Sequence, residues 1–262
     1  MLLAAAGLRF PFPRIFDRTV MVTLGLSMVW FARPLGLAQL LRRGFDQPLR
    51  ELRNAAVGLL LALVTMAALF TVTVTLCHGD AISADSLVAR AMRYAAAAII
   101  IGILEEGFFR AIVLGGMTRD WGKRTALVAS SAIFAFTHLV RSPARFYVTG
   151  FQPLAGLQNL GASFARVLHP GADLAMVFGL FLLGMALGEA FLLTERVYAS
   201  IGMHAGFVLG AKTWPLLASS RPRIQRWIAG PGPIPLIAAP AAWVLALVLL
   251  AVLPRSLKRS AK

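Results

Sequence analysis

A single cysteine, Cys77, rules out an internal disulfide and any metal site built on several thiolates. Charge is scarce too. Asp, Glu, Lys and Arg make up 14% of the 262 residues, against about 25% in an ordinary soluble domain. Acidic residues are the scarcest, 11 against 26 Lys and Arg, which leaves a formal net charge of +15. In an apolar chain, arginines in short loops set topology and meet anionic headgroups. No basic segment stands apart from the apolar runs, so a nucleic-acid partner is not expected. The chain also lacks internal repeats, low-complexity tracts and the helical HExxH spacing of zinc peptidases. What remains is apolar: 58% hydrophobic residues and a mean hydropathy of +0.76. Several runs approach the ~20 residues that cross a bilayer. The expected fold class is all-α, a polytopic transmembrane bundle of about six to eight spans surrounding an intramembrane polar cavity.

Taken in order, residues 1–18 carry Arg9, Arg14 and Arg18 among aromatic residues and prolines, an interfacial lead-in. The opening MLLAAAGLRF is too short for a cleaved signal peptide and has its charge on the wrong side, so the first span is expected to act as the membrane signal. Spans are expected over 20–31 (extending through Pro34 to Leu41), 55–77, 87–117, 125–140, 172–193, 197–217 and 233–253. Residues 1–85 group as N-terminal membrane segments, 86–218 as the core and 219–262 as a last span with a basic tail. Between 141 and 171, Leu154, Leu157, Leu160, Phe164 and Leu168 recur at helical spacing near Arg141, Arg145 and Arg166. That pattern reads as an amphipathic segment on the membrane surface, or else as a plain linker. Placing loop 42–53, turn 119–124 and the tail in the cytoplasm follows the positive-inside rule, although it exports the arginines at 141–145 and 221–226.

The stretch from Tyr94 to Met117 reads as one apolar helix, yet Glu105, Glu106 and Arg110 fall inside it. One charge at a bilayer centre costs roughly 3 kcal/mol on insertion scales, so these three must face protein or a watery cavity. Glu106 and Arg110 are four apart and share a face, which lets them pair. Glu105 lies about 100° round from Glu106, in another environment. A carboxylate held in an apolar site without a close cation suits general acid–base work.

Two histidines join them. His138 lies in SAIFAFTHLV with Phe134 four residues earlier on the same face, and His204 lies in YASIGMHAGFVLG beside Gly202, Ala205 and Gly206, small enough for close backbone approach. Polar groups on three helices meet only in the bundle interior. A neutral imidazole accepts a proton or binds a metal, and a carboxylate beside it can activate water against a carbonyl.

Glu105-Glu106-x-x-x-Arg110, Phe134-x-x-x-His138 and His204 in a small-residue helix together resemble the CPBP intramembrane proteases, the Abi family. These include the type II CAAX prenyl endopeptidases and bacterial relatives linked to bacteriocin processing and immunity. The resemblance spans roughly residues 90–215 and makes 86–218 a protease-like catalytic core. It implies an all-α membrane fold with a water-accessible cavity in a bacterial inner (plasma) membrane. It further implies that Glu105 and His138 activate the water, that His204 contributes to the oxyanion site, and that Glu106 and Arg110 support the site or orient substrate. The implied substrate is a membrane-associated protein or peptide, prenylated or of bacteriocin type. One position departs from the pattern: where the family usually has Asn or Asp four residues after the third-motif histidine, this chain has Val208. Thr137 and Thr213 are the hydroxyls nominated to replace the missing donor. The preferred reading needs no metal; the alternative is a zinc ion held by Glu105, His138 and His204 with an open fourth position.

Two other functions compete. One is a non-catalytic membrane binding or immunity protein on the same scaffold, which Val208 favours. The other is a proton-coupled transporter with a Glu–His relay, against which stands the lack of repeated halves and paired broken spans. Glu189 and Lys212 are expected to pair between neighbouring spans, and Asp173 to cap a helix. Trp30, Trp121, Tyr198, Trp214 and Trp227 read as interfacial anchors, and His78 and His169 as loop residues in solvent.

Overall fold

Backbone in lipid has no water to bond, so an apolar chain of this length satisfies its peptide groups as helices. In the computed structural model, which describes residues 10–31, 46–77, 84–140, 147–148, 154–168, 171–213 and 236–258, helices account for nearly everything. Helix α1 (Phe12–Phe31) follows a two-residue strand, β1 (Phe10–Pro11), which pairs antiparallel with β2 (Tyr147–Val148). Helix α2 (Pro48–Cys77) opens on Pro48, whose missing N–H costs nothing at a first helical position, and has Glu51 in its first turn, where the helix dipole favours an acid.

Helix α3 (Ala84–Glu106) passes without interruption into a π-helical stretch, Gly107–Leu114, and then into α4 (Gly115–Thr137). Inside α4 the backbone turns at Gly122, with φ +74° and ψ 160°. Side chains are nearly excluded from that conformation. The basic turn expected at 119–124 is thus a corner about one glycine. Helices α5 (Ala155–Leu168), α6 (Leu174–Thr194), α7 (Tyr198–Thr213) and α8 (Pro240–Lys258) complete the described chain, with short 3-10 turns at Gly171–Asp173 and Leu236–Ala238.

The helices close a ring. Helix α7 packs between α2 and α3, α8 bridges α2 and α6, and α6 packs on α4, which joins α3 through the π-helical stretch. A Cβ at Gly58 would strike the carbonyl of Ala199, and one at Gly202 the carbonyl of Ala55. The backbones of α2 and α7 therefore touch, as the small residues around His204 led one to expect. Gly202→Val is expected to push the two helices apart and to cost about 1–3 kcal/mol or more, as overpacking does. Thermal unfolding in detergent checks this; an unchanged midpoint would mean that the contact is slack.

At one end of the ring, Arg196 lies 4.0 Å from Glu51 and Lys123 lies 3.6 Å from Glu195. The start of α2, the Gly122 corner and the α6–α7 turn therefore share one side, as the positive-inside assignment of loop 42–53 and turn 119–124 requires.

The expected all-α bundle of spans stands, with two refinements. Among the described helices three are long and apolar enough to cross a membrane: Pro48–Val72, Leu174–Thr194 and Pro240–Leu257, with a shorter apolar stretch at Arg18–Trp30. The remaining expected spans are broken by charge or are short, α7 being 16 residues. The span expected over 125–140 also ends early, at Thr137, so His138 is the C-cap of α4 and not a mid-helix residue.

Candidate functional site

The site forms where α3, the end of α4 and the middle of α7 meet. Glu106 ends α3 and is fully buried, as is Arg110 one turn on. Arg110 Nε donates to Glu106 Oε2 at 2.9 Å, the pair foreseen from the four-residue spacing. The guanidinium also lies over the Phe134 ring, 5.1 Å from its centre. Glu106 is then bound a second time, which the spacing did not foretell. His204, 98 residues away in sequence, places Nδ1 2.7 Å from Glu106 Oε1. A carboxylate oxygen accepts, so Nδ1 carries the proton and Nε2 is left facing away from Glu106.

His138 is fixed by the same logic through a different acceptor. Its Nδ1 lies 2.7 Å from the Phe134 carbonyl oxygen, which can only accept. Nδ1 therefore holds the proton, and Nε2 points the other way, toward Glu105. Both free ring nitrogens converge on one atom: His138 Nε2 is 3.6 Å and His204 Nε2 3.7 Å from Glu105 Oε2. Neither distance is a hydrogen bond, and that buried oxygen takes none from any protein group. A small outward shift of either ring would admit one water between these polar atoms. Glu105 and His138 keep partial exposure, 18% and 30% of their side chains, whereas His204 keeps 6%. Glu105 and His138 thus border the open side of the cluster, while Glu106, Arg110 and His204 are sealed behind them.

Phe134 organises this layer. Its ring stands 4.4 Å from that of His138, 6.2 Å from His204 and 5.1 Å from Phe109, and carries Arg110 on its face. From sequence it was only a same-face neighbour of His138. Its contacts with Arg110 and with His204, across three elements, have no short-range signal.

The third motif remains incomplete. Val208, one turn beyond His204, is half-buried and brings no polar atom. The Thr137 hydroxyl lies 2.9 Å from its own helix at the Phe134 carbonyl. That of Thr213 lies 3.0 Å from the Leu209 carbonyl and 2.9 Å from that of Gly210. A hydroxyl has one proton, so neither nominated donor offers it to the site. Val208→Asn is expected to raise turnover, since one oxyanion donor is typically worth about 10²–10³ in rate. The check is cleavage rate at saturating substrate. A slower Val208→Asn enzyme would contradict the assignment of His204 to the third motif.

Among the described residues no group of three or more His, Cys, Asp or Glu side chains is disposed to hold a metal ion. Glu189 and Lys212 do not pair: Glu189 is half-buried, and Lys212 Nζ sits 6.0 Å over the Tyr94 ring. Asp173 occupies the N-cap position of α6 but makes no capping hydrogen bond. Trp30 and Trp121 are exposed, as interfacial anchors should be. His78, His169, Trp214 and Trp227 lie outside the described residues.

Residues 87–210 match the family model of the Rce1-like type II CAAX prenyl endopeptidases. The matched stretch contains Glu105, Glu106, Arg110, Phe134, His138 and His204, which bears out the resemblance read from the motifs. No curated protein and no solved structure matches the chain.

Proposed function

We propose that this integral membrane protein, whose residues 87–210 match the Rce1-like CAAX prenyl endopeptidase model, hydrolyses one peptide bond of a membrane-associated substrate with water activated by Glu105 and His138. The observation that carries the reading is the convergence of two oriented imidazole nitrogens on a carboxylate oxygen that has no other partner. Glu105 takes a proton from the water and the resulting hydroxide oxygen attacks the scissile carbonyl carbon. His138 Nε2 orients that water, its ring held by the Phe134 carbonyl. His204, bound at Nδ1 to the Glu106 carboxylate, acts as the imidazolium: a second proton, taken from solvent at Nε2 before substrate binds and kept through the cycle, is balanced by Glu106 and faces the oxyanion. The proton held by Glu105 passes to the amine nitrogen as the C–N bond breaks, so Glu105 ends the cycle as a carboxylate. A prenylated tail or a bacteriocin-type peptide in a bacterial inner membrane is the proposed substrate class.

Hydrolysis by this route needs no metal. Purified enzyme dialysed against a strong chelator is expected to keep its rate. A loss that zinc alone restores would favour the metal reading over this one.

A second reading, binding or immunity without catalysis, is favoured by Val208 and by the engaged hydroxyls of Thr137 and Thr213. Incubating the protein in proteoliposomes with lipidated membrane peptides and weighing the products separates the two. New fragments support hydrolysis; intact peptide that co-purifies with the protein supports binding.

A further inference from the structure

Helix α5 is inside out. The residues it buries are Ala155, Asn159 and Ser163, at 1%, 0% and 0% exposure, a stripe spaced by four along one face. At about 100° per residue, Leu157, Leu160, Phe164 and Leu168 fall on the opposite face. Those four are 73%, 41%, 52% and 74% exposed. A helix on the surface of a water-soluble protein has the reverse arrangement, apolar side inward and polar side outward. Turning the polar stripe inward and five large apolar side chains outward, Leu154 included, makes sense only if the medium outside is itself apolar. Leu174 and Phe178, at the start of the candidate membrane span α6, are likewise 55% and 46% exposed.

It does not cross the bilayer. Its 14 residues reach about 21 Å, short of the ~30 Å hydrocarbon core. Only a few residues separate it from α6, and it follows the end of α4 through β2. Both ends thus connect to the same end of the bundle, the one opposite the Gly122 corner.

We propose that α5 lies in the plane of the membrane, its Leu157–Leu160–Phe164–Leu168 face sunk into the acyl-chain boundary and its buried Asn159–Ser163 face turned to the protein. The occupant of the apolar face is lipid, not a second copy or another protein. This surface stands apart from the catalytic residues, so the inference does not depend on the proposed hydrolysis.

Spin labels decide it. In a Cys77→Ser background, which removes the chain's single cysteine, cysteines are placed one at a time at Leu157, Leu160, Phe164 and Leu168, with Gln158 on the flank for comparison. The full chain is reconstituted in vesicles of phosphatidylethanolamine and phosphatidylglycerol, and collision with oxygen and with a water-soluble nickel chelate gives each label's depth. The four apolar-face labels are expected at one shared depth, about 5–10 Å below the headgroups, with Gln158 shallower. Residues 157 and 168 are about 16 Å apart along the axis, so a depth that changes by that much would mean a helix dipping across the membrane. Labels shielded from both reagents would mean a protein occupant, and labels open to the chelate would mean water. Any of these three results overturns the proposal.

Discussion

Replacing Arg110 with alanine is expected to destabilise the protein by about 3–5 kcal/mol, the usual loss when one member of a buried ion pair is removed. Glu106 and Arg110 are both fully buried and bonded at 2.9 Å, so no water is at hand to solvate the abandoned carboxylate. The Phe134 ring also loses the cation on its face, a smaller contribution of about 1–2 kcal/mol in a dry setting. The arginine is not perfectly satisfied in the native state, since Nη1 and Nη2 take no partner. That residual cost makes a double replacement informative. Glu106→Leu with Arg110→Met removes both charges and is expected to recover much of the stability without restoring activity, because His204 loses the acceptor that fixes Nδ1. Thermal unfolding in detergent and peptide cleavage, measured on the same preparations, check both halves. An Arg110→Ala melting point equal to wild type would show that the pair contributes nothing. A double variant with full activity would remove Glu106 from the positioning of His204.

Glu105→Gln is expected to have the opposite profile. Activity falls by at least about 10²–10⁴, the range for a general base, while stability holds or rises. Glu105 Oε2 is buried, accepts no hydrogen bond and lies beyond bonding distance of both histidines. A buried acceptor left without a hydrogen bond costs free energy, so exchanging the carboxylate for a neutral amide leaves the fold no worse as it disables the chemistry. His138→Ala is expected to lose activity to a similar extent. If Glu105 and His138 act on one water, Glu105→Gln with His138→Ala should be little worse than either alone, as for residues that work as a unit. Multiplicative losses would mean separate roles, and a Glu105→Gln enzyme that melts well below wild type would mean that the carboxylate is structural.

Several of these contacts were legible in the sequence. The four-residue spacing of Glu106 and Arg110 led directly to their bond, and Gly202 and Gly206 led to the close approach of α2 and α7. The gathering of Glu105, His138 and His204 followed from the cost of charge in an apolar interior, an argument independent of distance along the chain. What stayed hidden depends on non-local packing or on backbone detail. The Glu106–His204 bond joins residues 98 apart. The π-helical stretch at Gly107–Leu114 keeps the composition of an ordinary apolar helix, and Gly107 betrays itself only through Met28, which would collide with a Cβ there. Periodicity showed that residues 154–168 form a helix with two faces, but not that the polar face turns to the protein. The Glu189–Lys212 pair was a guess from opposite charge in neighbouring spans, and Lys212 instead meets the ring of Tyr94. His138 as a helix cap was equally invisible, because the apolar run continues past the point where the helix ends.

The central claim is that Glu105, served by His138 and His204, activates water against a peptide bond at the membrane. Its most direct test is mass spectrometry of lipidated membrane peptides incubated in proteoliposomes with wild-type protein and, in parallel, with Glu105→Gln. The account expects paired fragments whose masses sum to the peptide plus one water with wild type, and intact peptide with a Glu105→Gln protein that melts no lower. Equal cleavage by the two proteins, or fragments from neither, would contradict it.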